Sequence, residues 1–152
     1  MKKTSGLIWC FVLAGALLFQ GCAFLSSDKG QNYIEGRIES LSFLILKELP
    51  DEAVTIQAAA DAVSQLTSGE DISVAALLTA LENTEIDELN TVYAPLIVNE
   101  IVDHYNLIVG GMDLSENENY ETAVRTLNTI ANGLKNGLAQ WETYARLHPE
   151  SL

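Results

Sequence analysis

Glu100 and His104 are the first pair of side chains in this sequence whose types and spacing could do chemistry. They stand four residues apart in a segment with helical periodicity, so a carboxylate and an imidazole would project from one face and could share a metal ion. A site needs at least one more ligand, and Asp103 projects from another part of the helix. His104 also falls on the apolar face that Ile101 marks. We expect a partly buried histidine that bonds to a neighbouring side chain, and no metal site.

A second run alternates oxygen-bearing side chains as calcium loops do: Asp113, Ser115, Asn117, Asn119 and Glu121. Such loops carry a glycine at the sixth position and a bidentate glutamate at the twelfth. Here the sixth position is not glycine, and Val124 stands at the twelfth. The sequence Ser115-Glu116-Asn117-Glu118 is instead typical of a capping box, and we interpret the run as the start of a helix.

The chain contains few residues that could support covalent catalysis. Ser64, Ser68 and Ser73 lack the flanking glycines of a nucleophile elbow, and the whole sequence contains two histidines. No glycine-rich phosphate loop is present. We therefore predict that the protein is not an enzyme and uses no cofactor.

Cys22 is the side chain whose surroundings indicate a covalent modification. It follows Leu18-Phe19-Gln20-Gly21, and an apolar run of 13 residues, 7–19, comes after the basic Lys2 and Lys3. The run is shorter than the roughly 20 residues that a membrane-spanning helix needs, so the pattern predicts a secretion signal. The alternative is an ordinary cleaved signal peptide that leaves Cys22 as a free thiol.

This segment resembles the lipobox of bacterial lipoproteins. The resemblance implies cleavage between Gly21 and Cys22 and covalent lipid, including palmitate, on Cys22. Ala23 in place of aspartate implies sorting to the outer membrane, with the domain facing the periplasm. Residues 1–21 would be the signal peptide, 22–31 a lipidated tether and 32–152 the folded domain; the tether would reach at most about 30 Å.

Charge and cysteine content narrow the functional classes further. Cys10 lies in the predicted leader and Cys22 would carry lipid, so the mature domain has no disulfide and must be held by its core. Removal of residues 1–21, with Lys2 and Lys3, changes the formal net charge from −13 to about −15. Nucleic acid and anionic lipid headgroups would be repelled. A solvated acidic surface is the plain interpretation, and a cationic partner is the alternative.

The residue pattern after the tether indicates helices throughout. It predicts an all-α, compact bundle of four to six helices. Apolar residues recur every three or four positions over residues 32–47, 53–66 and 72–81. Thr84 is the expected cap of a fourth segment, 84–109, in which Pro95 produces either one kinked helix or two short ones.

The final segment carries the most regular pattern. Its apolar residues are spaced alternately three and four apart, and they are Val124, Leu127, Ala131, Leu134, Leu138, Trp141 and Ala145. This seam predicts lengthwise packing on another helix, either within the chain or in a self-associated dimer. Gly133 and Gly137 form a notch beside it, explained by a close helix crossing or by a partner's side chain. We take Gly133, Gly137, Trp141 and Tyr144 as the candidate partner-binding residues.

The sequence thus favours a lipid-anchored docking or assembly module for an envelope protein, held at the bilayer through Cys22. In size, lipid and helicity it resembles the small helical pilot lipoproteins of secretion systems. The alternatives are an acidic inhibitor or exclusion factor against a cationic enzyme, toxin or phage component, and a bundle that binds a small ligand or a metal.

Overall fold

The computed structural model describes residues 24–89 and 91–149. The predicted signal peptide and Cys22 lie outside these residues. Five α-helices lie wholly within the described part, which contains no strand. They are α1 (Asp28–Glu48), α2 (Ala53–Leu66), α3 (Val74–Glu82), α4 (Ala94–Val109) and α5 (Asn117–Leu147), with short 3-10 turns at Pro50–Glu52 and Ile86–Glu88. The all-α bundle is confirmed.

The longest helices, α1 and α5, share the largest interface and run parallel. Gln31 on α1 bonds to Thr126 on α5 at 3.2 Å, and Phe43, further along α1, packs edge-on against Tyr144. The helix α2 packs antiparallel on α5, and Lys135 Nζ lies 3.1 Å from Ser64 Oγ. The helix α4 packs antiparallel on α1, and α3 closes the space between α2 and α4.

The core follows the predicted periodicity. Ile34, Ile38 and Ile45 of α1 are fully buried, and so are Leu127 and Leu134 of the predicted seam. Val124, Leu138 and Trp141 pack partly buried against the same core. The regular seam of α5 is therefore used for packing inside one chain.

Pro95 separates the predicted fourth segment into two elements. Residues 86–88 form a 3-10 turn, and α4 begins at Ala94 with the proline in its first turn, where its missing N–H costs nothing. Thr84 does not cap this helix, so that prediction was wrong. Its hydroxyl donates to the carbonyl of Leu81 at 2.7 Å and finishes α3, and the following Glu85 has a positive φ of 59°.

Two other helix starts differ from the predicted ones. Ser115 does not form a capping box, because α5 begins at Asn117 without a side-chain cap and the Ser115 hydroxyl donates to Asp113 Oδ1 at 2.7 Å. The helix α1 begins at Asp28, four residues before Asn32, because Ser27 caps it.

Candidate functional site

The predicted notch at Gly133 and Gly137 is filled by α1 of the same chain. A Cβ built on Gly133 would lie 2.8 Å from the carbonyl oxygen of Glu35 and 2.9 Å from Ile38 Cβ. A Cβ built on Gly137 would lie 2.5 Å from Ser42 Cβ. The glycines allow α1 and α5 to approach closely, so the close helix crossing is the explanation that holds and the notch is not open to a partner.

The two aromatic residues of the predicted partner site lie beside this crossing. Trp141 is partly buried against the core. Tyr144 packs edge-on against Phe43 at 5.8 Å, and Lys47 Nζ lies 5.7 Å from its ring centroid. Three of the four predicted residues, Gly133, Gly137 and Tyr144, therefore contact α1. The structure brings the four together, but at an interface within the chain.

Glu100 and His104 lie together with Arg37 on the α1–α4 surface. Arg37 donates to Glu100 Oε1, and this carboxylate holds the pKa of the guanidinium above its ordinary value. His104 Nδ1 lies 2.7 Å from the Glu100 carbonyl oxygen and 3.1 Å from Glu100 Oε2. The shorter contact is the hydrogen bond, and the carboxylate adds an ion pair when the imidazole is protonated. Among residues 24–89 and 91–149, no group of three or more His, Cys, Asp and Glu side chains could hold a metal ion.

An open groove runs between α2 and α3, and sequence analysis missed it. Two concavities of about 510 and 420 Å³ adjoin there and share Leu66, Ala80 and Asn83. The remaining wall consists largely of small side chains, including Ala62, Ala75, Ala76 and Thr79. Small side chains at four-residue spacing on α3 allow another backbone to come close, so the groove could accept a helix of a partner.

The sequence segment that forms this groove is one-sided in charge, although Lys135 of α5 lies 3.9 Å from Asp61 on α2. No Lys or Arg occurs between Lys47 and Arg125, although this stretch holds 16 of the 21 acidic residues. All Lys and Arg residues of the described part therefore lie on α1 or α5. Asp71 at the groove accepts the Ser73 N–H at 2.9 Å, which holds the pKa of its carboxyl below the ordinary value and keeps it charged. The absence of Lys and Arg from this stretch is visible in the sequence. It could have identified the acidic half of the bundle, which contains the groove.

None of the helices in the described part is both long and apolar enough to cross a bilayer. Comparison of the chain with protein-family models, curated proteins and solved structures finds no match.

Proposed function

We propose that the protein is a lipid-anchored outer-membrane protein that faces the periplasm and acts as a docking or assembly module for an envelope protein. Lipid on Cys22 provides the anchor, and the groove between α2 and α3 receives the partner. No cofactor takes part and no reaction is catalysed. The observation that carries this proposal is the groove, because it is open and apolar, whereas the glycine crossing of α1 and α5 is already occupied.

The partner segment that fits is an amphipathic helix with a narrow apolar ridge and basic flanks. The alanine-lined floor favours close apolar contact. The stretch between Lys47 and Arg125 offers acidic side chains and no Lys or Arg, which favours Lys or Arg on the partner and disfavours acidic competitors. Because the groove has apolar contacts at its centre, binding should survive moderate salt.

The test is recovery of the partner from gently detergent-solubilised envelopes, using the lipidated protein and two matched variants. Ala75→Arg places a long cationic side chain at the groove, at an exposed position where folding should be unaffected. Ala139→Arg makes the same change at an exposed position of α5. Both are checked by circular dichroism before use.

We expect one stoichiometric envelope protein to be recovered with the native protein and with Ala139→Arg, and to be lost with Ala75→Arg. A Cys22→Ser protein should recover less of it, because this protein is not held at the membrane. Recovery of the lipoprotein alone, or equal recovery with both arginine variants, would contradict the proposal.

The one-sided charge supports a second candidate function, an acidic inhibitor or exclusion factor against a cationic enzyme, toxin or phage component. Such a protein would bind mainly through charge, and its affinity should fall steeply with ionic strength. Ala139→Arg and Ala75→Arg should also weaken its binding to the partner to similar degrees, since each adds one positive charge.

A further inference from the structure

The first described residues, 24–27, are folded back onto the bundle. Leu25 is buried, and its carbonyl accepts a hydrogen bond from Gln31 Nε2 at 3.0 Å. The carbonyl of Ser26 accepts one from Arg125 on α5. Leu25, Gly30 and Gln31 belong to the stretch predicted as a lipidated tether, yet all three are buried against the bundle. The first described residues are therefore attached to both α1 and α5.

Gly30 makes this fold-back sterically possible. A Cβ built on Gly30 would collide with the Phe24 carbonyl oxygen and would lie 2.5 Å from Leu25 Cα. Gly36, on the same helix, has nothing within 4 Å of an added Cβ. Only the first of the two glycines is needed for contact with another segment.

The fold-back leaves very little chain between the body and Cys22. Phe24, the first described residue, is 49 % exposed and is two residues from the cysteine. Two residues span at most about 7 Å. An acyl group on Cys22 would therefore bring Phe24 to the bilayer surface, where an aromatic side chain is favoured.

From this placement we propose that Phe24 and the fold-back of residues 24–27 form a membrane-contact surface, which holds one end of the bundle directly on the lipid bilayer. This inference rests on the proposed lipidation of Cys22. The N-terminal ends of α1 and α5 lie at this surface, and the C-terminal end of α5 points away from the membrane.

The charges beside Phe24 indicate which lipid surface fits. Asp28 has a 94 % exposed side chain and pairs with Arg125 at 3.2 Å, and Glu118 and Glu121 line a concavity with Arg125 at the same end. These three carboxylates outnumber the two cations there, Arg125 and Lys29. Anionic headgroups would be repelled by these carboxylates, so a zwitterionic bilayer is the preferred surface.

The first experiment uses the full chain, produced in a bacterial host that processes lipoproteins, with Phe24→Trp and Trp141→Phe, so that the introduced indole is the single tryptophan of the mature chain. A matched protein retains Phe24 and Trp141. Both are bound to zwitterionic vesicles whose lipids carry bromine on the acyl chains, and flotation of the vesicles reports anchoring. We expect both proteins to float, with strong quenching of the introduced tryptophan and little quenching of Trp141. Addition of anionic lipid at low salt should reduce quenching of the introduced tryptophan.

Failure to float would contradict lipidation and with it the proposed function. Flotation without quenching of the introduced tryptophan would overturn the membrane-contact surface and leave the anchor standing. The two failures are thus distinguishable in one experiment.

The second experiment tests the fold-back itself by trypsin cleavage after Lys29, which would release the bundle from the vesicles. Gly30→Ala should raise the release rate at least tenfold, because the added methyl displaces residues 24 and 25. Gly36→Ala, the matched control, should not raise the rate. Arg125→Ala should also raise it, by a smaller factor. Equal rates for all four proteins would overturn the fold-back, and circular dichroism of each variant shows whether the bundle remains intact.

Discussion

Gly137 on α5 lies directly against Ser42 on α1, and a Cβ on the glycine would come within 2.5 Å of Ser42 Cβ and 2.6 Å of the Glu39 carbonyl oxygen. Contacts of this closeness to a backbone oxygen cannot be relieved by a rotamer change. The crossing of the two parallel helices therefore depends on glycine at this position.

Gly137→Ala should destabilise the domain by about 1–3 kcal/mol, the usual range for overpacking a tight core. The gain in helix propensity, about 1 kcal/mol, offsets only part of the clash. Gly36→Ala is the matched control on α1. It should stabilise the domain by about 0.5–1 kcal/mol because the position is open. Urea unfolding measures both, and an unchanged or higher midpoint for Gly137→Ala would contradict the close crossing.

Tyr105 joins α4 to the segment before α3. Its hydroxyl donates to the Ile72 carbonyl at 2.5 Å, and burial, together with the charge of Asp71, raises its pKa well above the ordinary value. In the unfolded chain the phenol ionises near pH 10. The folded state keeps the proton longer, so this contribution to stability is complete below pH 10 and is lost as the pH rises beyond it.

We expect the free energy of unfolding to fall as the pH rises above about 10, and to fall less steeply in Tyr105→Phe. This variant should cost about 1 kcal/mol at pH 7 for the lost hydrogen bond. Absorbance at 295 nm should show one of the five tyrosines titrating only as the protein unfolds. Titration of all five tyrosines at a pH below that at which the protein unfolds would contradict the burial of this phenol.

Arg37 and Glu100 join α1 to α4 through an ion pair of unequal exposure. The arginine side chain is 49 % exposed and the glutamate 19 %. Because solvent screens the pair from one side, we expect a coupling energy of about 1 kcal/mol in a double-mutant cycle of Arg37→Ala and Glu100→Gln. The coupling should shrink at high salt. A coupling near zero at low salt would mean that the pair does not restrain the two helices.

Helical periodicity was enough to predict which segments are helices and which faces they bury. Ile34, Ile38 and Ile45 follow the 3.6-residue repeat and are buried as expected. Caps were less predictable, because Thr84 and Ser115 have hydroxyls that bond equally well to a preceding residue, and here both do. The parallel pairing of α1 and α5 depends on tertiary contacts that no local pattern encodes.

The candidate site, like the fold, could be predicted from the sequence only in part. The sequence indicated that Gly133 and Gly137 make room for something, but a spacing cannot say whether the occupant is α1 or a partner. The groove formed by Leu66 and Ala80 requires α2 and α3 to be placed side by side, so it emerged only from the structure. Its acidic surroundings could have been predicted from the absence of Lys and Arg between Lys47 and Arg125.

Salt dependence of partner binding separates apolar docking at the groove from inhibition by charge. If the apolar floor around Ala80 supplies the affinity, raising sodium chloride from 50 to 500 mM should weaken binding by no more than about tenfold. Ala75→Arg should weaken it by more than tenfold at both concentrations, because the obstruction is steric as well as electrostatic. Surface plasmon resonance with the recovered partner measures both effects. A loss of about a hundredfold with salt, with little effect of Ala75→Arg at 500 mM, would favour the acidic inhibitor instead, since charge alone would then account for the affinity.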